Sequence, residues 1–284
     1  MSHAADTPAV SLSYSDLGSG LPVVLLHPTP LDREYWRPVA GLLTRTQQLS
    51  IRAILVDLRG HGQSPLGDGL PAGDFALVPD TPVLSMAQYA TDVLALLDRL
   101  GLDKAVFAGC SVGGSVLLEI WRRAPERVRG LAFVCSKPQS DATDPVKNQR
   151  RAGTIAQARS GGLADLFDGM AHGLIGATAQ RQRPAIYNEL RARMTVTPEA
   201  MVAIQAGLGT RPDSMATVPT ITVPVLAIAG GEDPGISPAE MQAFTAAPGG
   251  CAFHELLHAG HLAAYEDPQA VAALFRYWLG QFQV

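Results

Sequence analysis

Residues 104–114 read Lys-Ala-Val-Phe-Ala-Gly-Cys-Ser-Val-Gly-Gly, a short apolar run that ends in a tight turn with Ser111 at its apex. The pentapeptide Gly109-Cys110-Ser111-Val112-Gly113 matches G-x-S-x-G, where the flanking glycines remove Cβ atoms that would collide as strand turns sharply into helix. A serine hydroxyl is a poor nucleophile at neutral pH. It needs a base within hydrogen-bond reach, and a carboxylate to hold that base in the right tautomer. Both follow downstream, in Gly230-Gly-Glu-Asp233 and in His258-Ala-Gly-His261. Asp233 is preferred to Glu232 because it ends the Gly-Gly turn on a short, stiff side chain, and Glu232 reads as a solvated neighbour. His261 follows a glycine and precedes Leu-Ala-Ala-Tyr265, at a turn entering a helix, so it is the expected base. His258 and His254 read as surface or structural histidines. His61 lies between two glycines with no carboxylate at useful spacing and is a weak competitor.

Attack on a carbonyl also requires donors for the oxygen that gains charge. One is the N–H of Val112, directly after the nucleophile. The other should come from His27-Pro28-Thr29-Pro30, where the prolines have no N–H and Thr29 is the donor available beyond His27. In Asp57-Leu-Arg-Gly-His-Gly-Gln-Ser64, Asp57 and Arg59 read as braces for a turn rather than as reacting groups. Neither His-x-x-x-His nor a carboxylate cluster at ligand spacing occurs, so no metal is expected.

The elements that must carry these residues are legible from apolar patterning. Continuous apolar runs at 22–26, 53–56, 104–109, 130–135 and 223–229 read as buried strands. Helical patterns fill 33–44, 84–100, 112–123, 238–246 and 268–282, with Gly101 capping the second and Pro125 stopping the third. A last strand is expected over 252–257. Between 137 and 219 long apolar strands are missing and helical patterns such as 186–194 and 198–208 replace them. Residues 67–82, rich in Gly, Pro and Asp, read as a long loop.

With 284 residues, 47% hydrophobic and 17% charged, the chain can bury a sizeable core. A net charge of −4 supplies neither a nucleic-acid footprint nor a polybasic membrane patch, and no anionic partner is indicated. Cys110, Cys135 and Cys251 are odd in number and set in apolar runs, as expected of small buried hydrophobes in a reducing compartment. The N-terminus lacks a basic segment followed by an apolar one, and no apolar run reaches about 18 residues, so a cytoplasmic location is expected.

Four motifs in order, His27-Pro28-Thr29-Pro30, Asp57-x-Arg59-Gly60-x-Gly62-x-Ser64, the Ser111 turn and the late Asp233 and Gly260-His261, resemble the α/β-hydrolase superfamily. The stretches 121–128 and 207–214 look like its enol-lactonase and carboxylesterase branch. The resemblance implies an α/β-hydrolase fold, with a mostly parallel sheet flanked by helices and a helical cap inserted after the sixth strand. Core segments at 1–136 and 220–284 would then flank a cap at 137–219. It also implies a cofactor-free serine hydrolase that cleaves a small-molecule ester or lactone through an acyl-enzyme. Carbon–carbon or amide hydrolysis and perhydrolysis share the same three groups, and a non-catalytic binder on the same fold is the rival from another class. Leu163, Leu166, Phe167, Met170, Leu174 and Ile175 offer either an apolar, weakly charged lid or ordinary helix packing, and the 67–82 segment should border the pocket.

Overall fold

The computed structural model describes residues 7–45, 48–75 and 78–282. The N-terminal reading at residues 1–6 therefore lies outside the described residues. Among the described residues nine strands appear in chain order: β1 (Tyr14–Gly18), β2 (Leu21–Leu26), β3 (Ile51–Val56), β4 (Ala72–Phe75), β5 (Val78–Pro82), β6 (Ala105–Cys110), β7 (Val128–Val134), β8 (Val225–Gly230) and β9 (Cys251–Leu256). Seven of them form one sheet in the order β1-β3-β2-β6-β7-β8-β9, antiparallel only where β1 meets β3. Parallel strands need helical crossovers that cover both faces, which is why β6 and β8 are buried at every residue and read as unbroken apolar runs.

The helices are α1 (Arg37–Thr44), α2 (Met86–Arg99), α3 (Val112–Arg123), α4 (Pro145–Arg159), α5 (Leu163–Leu174), α6 (Ala177–Gln182), α7 (Ile186–Arg191), α8 (Pro198–Gly209), α9 (Pro238–Met241), α10 (Ala263–Glu266) and α11 (Pro268–Leu279). Ser85 caps α2 by accepting from the Gln88 N–H, and Asp144 and Thr197 cap α4 and α8 in the same way, each followed by proline at the first helical position. Trp36 and Phe275 meet edge to face between the α1 and α11 regions, and Phe133 of β7 stacks on Phe244.

Two expectations change. The helical segment α4–α8 follows the seventh strand in chain order, the fifth of the main sheet, rather than the sixth. In addition, the 67–82 segment is not a plain loop, because β4 and β5 pair there as an antiparallel hairpin. That hairpin sits beside the α4–α8 segment. Arg159 donates to Thr81 Oγ1 at 3.3 Å, and just past β5 the Leu84 N–H donates to the Ala203 carbonyl of α8 at 3.0 Å.

Register brings the ends of the parallel strands together: Leu26 lies opposite Val56 and Gly109, Cys110 opposite Val134, and Gly230 opposite Leu256. The connections leaving this edge carry Thr29, Ser111, Asp233 and His261, the place where open α/β sheets gather their functional side chains.

Candidate active site

Ser111 joins β6 to α3 with φ 53° and ψ −115°, a conformation that L-residues rarely adopt and that costs about 1–3 kcal/mol. The turn is possible because of its glycines. A Cβ on Gly109 would run into the backbone of Gly113 and Gly114, and one on Gly113 into the Leu26 carbonyl. Gly114 is packed as closely against Ser136, whose Oγ donates to the Ser111 carbonyl at 3.0 Å. Ser111 Oγ makes no hydrogen bond among the described residues and lines a cavity of about 530 Å³ that His261 also lines.

The other two predicted partners meet. His261 Nδ1 donates to Asp233 Oδ2 at 2.7 Å, with the Asp233 side chain fully buried. Asp233 Oδ1 accepts from the Gly235 and Ile236 N–H groups at 2.8 and 3.1 Å, which fixes the plane of the carboxylate. Because Nδ1 carries the donated proton, the lone pair of His261 is left on Nε2.

Thr29 and Val112 both line the cavity, and neither main-chain N–H has a protein acceptor among the described residues. Thr29 is oriented from behind. His61 Nδ1 donates to the Arg59 carbonyl at 3.0 Å, so its Nε2 accepts from Thr29 Oγ1 at 2.8 Å. Burial, together with the neighbouring His27, drives the His61 pKa down to about 3, and burial drives that of His27 to about 4. His27 spends both ring nitrogens on the backbone, donating to Pro28 and accepting from the Leu58 N–H. These two imidazoles are neutral struts. His254, half-buried on β9, and exposed His258 do not line the cavity.

The 57–64 turn is braced as its residue types suggested. Asp57 accepts from the Arg33 and Gln63 N–H groups and from the Arg33 guanidinium, and it leaves no room for a Cβ at Gly62, where φ is +53°. Arg59 makes a buried bidentate pair with Asp92 of α2 at 2.7 and 2.8 Å.

Several contributors escaped the sequence reading. Glu232 is partly exposed, as expected, but it also has a partner: it accepts from the N–H and hydroxyl of Thr178, at the start of α6. Glu266 accepts from the N–H groups of Gly176, Gly260 and Leu262, so one carboxylate frames His261 on both sides and ties it to the α5–α6 turn. The Cys110 and Cys135 thiols donate to the carbonyls of His261 and Gly260, and Tyr35 links Cys110 to the Ala264 N–H. Burial raises both thiols, so they stay protonated. Cys251 is only half-buried, on edge strand β9.

The cavity wall also departs from expectation. Of the six apolar residues considered for a lid, Met170 and Leu174 line the cavity, while Phe167 and Ile175 pack into the core. None of the described residues of 67–82 lines it. The weakly charged lid is not found either, since Lys147, Arg150 and Arg151 of α4 face the cavity together with Lys137 and Arg211.

Among the described residues no helix is long and apolar enough to cross a membrane. Residues 23–274 match the model of the alpha/beta hydrolase family. A thermophilic esterase from Thermogutta terrifontis, solved with malate bound, superposes with a TM-score of 0.84 at 30% identity, covering 96% of this chain and 94% of that one. The enol-lactonase from Burkholderia xenovorans LB400 superposes with a TM-score of 0.80 at 23% identity, over 94% and 96% of the two chains, a likeness of fold. In sequence, 3-oxoadipate enol-lactonase 1 of Acinetobacter baylyi is 23% identical over 86% of this chain and 83% of its own length. The bifunctional epoxide hydrolase 2 of Sus scrofa is 30% identical over 49% of this chain, and the match spans only 24% of that longer protein. Fold, strand order and family match agree, and the chain belongs to the alpha/beta hydrolase family.

Proposed function

We propose that this protein hydrolyses a carboxylic ester or lactone through an acyl-enzyme on Ser111, with no cofactor. His261 Nε2 takes the hydroxyl proton as Ser111 Oγ attacks the carbonyl carbon. Asp233 stabilises the imidazolium that forms, and the N–H groups of Thr29 and Val112 receive the oxyanion. His261 then protonates the leaving alkoxide, and water deacylates the enzyme by the same route in reverse. The helical segment at 137–219 acts as the cap over this chemistry.

The observation that carries the reading is the buried Asp233–His261 bond, with its Nε2 lone pair free, on the cavity that the strained Ser111 turn also lines. Apo hydrogen bonds between nucleophile and base are often loose and tighten with substrate. The esterase and enol-lactonase likenesses favour acyl chemistry over the other reactions that share these groups.

A panel of p-nitrophenyl esters of increasing acyl length, with lactones alongside, tests the proposal. Hydrolysis of at least one class, abolished in Ser111→Ala, is the expected result. Inert esters and lactones together with cleavage of β-diketones would replace it with carbon–carbon hydrolysis.

A further inference from the structure

Five cationic side chains border the cavity that holds Ser111 and His261: Lys137 just past β7, Lys147, Arg150 and Arg151 on α4, and Arg211 just past α8. Asp141 is the single acid among the lining residues. A chain with a net charge of −4 has thus concentrated positive charge in one place.

The ion pairing there is incomplete. Lys137, Lys147, Arg151 and Arg211 converge on Asp141 at 3.0, 2.8, 3.5 and 3.7 Å, and Lys137 also meets Glu240 at 2.5 Å. Two carboxylates therefore serve four cations, and the two guanidinium contacts to Asp141 are the long ones; Arg211 also donates to the Gln139 carbonyl and Arg151 to Gln205 Oε1, both neutral acceptors. Arg151 Nε is buried with no partner, and exposed Arg150 has no ion pair among the described residues. A network whose only task was to fasten α4 and α8 to the core would gain most from balanced pairs, because surplus buried charge is costly unless an anion compensates it.

We infer that these side chains form an anion site, and that the ester or lactone accepted by this cavity carries a second group that is a carboxylate. The inference rests on the hydrolase reading for the word substrate, but not for the binding site itself. Arginine forks match a planar carboxylate in two parallel hydrogen bonds, and Lys137 and Lys147 supply point charges beside them. Met170, Leu174, Leu208 and Ile236 line the same cavity and suit a short apolar spacer between the carboxylate and the scissile carbonyl. A neutral acyl chain would offer the surplus positive charge no counter-charge.

The test compares p-nitrophenyl hemiglutarate with p-nitrophenyl valerate, and measures glutarate and inorganic phosphate binding to Ser111→Ala by calorimetry. The wild-type kcat/KM ratio should favour the hemiester by about tenfold or more, carried mainly by KM. Arg151→Gln should reduce that ratio by about tenfold, and Arg151→Lys should restore part of it. Arg150→Gln, at an exposed position, should reduce the ratio without risk to folding. Glutarate should bind Ser111→Ala and outcompete phosphate. A ratio at or below one, or glutarate that fails to bind, overturns the anion site, and tighter binding of phosphate overturns the carboxylate class. Glutarate binding in a protein that hydrolyses neither ester upholds the anion site while defeating the hydrolase reading.

Discussion

His261 Nδ1 lies 2.7 Å from Asp233 Oδ2, and the other oxygen of the same carboxylate is fixed by two backbone N–H groups. An acceptor-only group held in this way dictates which nitrogen of His261 is protonated. In Asp233→Asn the amide can present its NH2 group to His261 and turn the imidazole to the wrong tautomer. Ester hydrolysis should fall by about 10³–10⁴-fold in kcat with little change in KM. Steady-state kinetics checks this, and the thermal midpoint should stay within a few degrees, because the shape is conserved.

Glu266 should prove more important than Glu232, although both tie the α5–α6 region to the loops carrying His261 and Asp233. Glu266→Gln replaces one of two acceptor oxygens, and three N–H groups lose part of their partner. We expect a loss of about 1–3 kcal/mol in urea unfolding, and about a tenfold lower kcat because Gly260 and Leu262 set the position of His261. Glu232→Gln alters side-chain hydrogen bonds to a single residue among those described, Thr178, and should change both measurements less.

The Ser111 turn predicts a contrast between two glycine substitutions. Gly109→Ala drives a methyl group into the Gly113 and Gly114 backbone, which cannot step aside, and should destabilise by more than about 3 kcal/mol or abolish soluble expression. Gly153→Ala, on α4 with nothing within 4 Å of the added carbon, should be neutral or stabilising by up to about 1 kcal/mol. Chemical denaturation of the two variants separates these outcomes.

Acid should weaken the fold through His27 and His61. Both are held neutral by burial, with pKa values of about 4 and 3, while the unfolded chain takes up those protons from about pH 6.5 downward. The stability they contribute is full above pH 6.5 and is lost as pH falls toward the folded-state values. At pH 4 the loss from His27 alone is about 3 kcal/mol, and at ~2–4 °C per kcal/mol it lowers the thermal midpoint by roughly 10 °C. In His61→Gln the fall in midpoint between pH 7 and pH 4, measured by circular dichroism, should be smaller than in the wild type.

The sheet strands covered on both faces were legible because burial makes them continuous apolar runs, and the Ser111 turn because its glycines have a steric cause. Strand β1 was not, since Tyr-Ser-Asp-Leu-Gly on an exposed edge has no apolar run to betray it. The β4–β5 hairpin was hidden by Pro79, Pro82, Gly73 and Asp74, residue types that depress strand propensity. Ser111, Asp233 and His261 could be proposed from residue type and chain order. The cation cluster could not, because net charge averages over the whole surface, whereas Lys137, α4 and Arg211 converge only when the helical segment folds back over the sheet. The task of Glu232 was invisible for the same reason: its partner Thr178 is remote in sequence.

All of the proposed chemistry depends on Ser111 being a nucleophile activated by His261. Labelling with a fluorophosphonate, followed by mass spectrometry of the peptide containing Ser111, tests it most directly. One adduct, on Ser111, is expected in the wild type, none in Ser111→Ala, and labelling slowed by several orders of magnitude in His261→Ala. No adduct on the wild type, or an adduct that persists in Ser111→Ala, would contradict it.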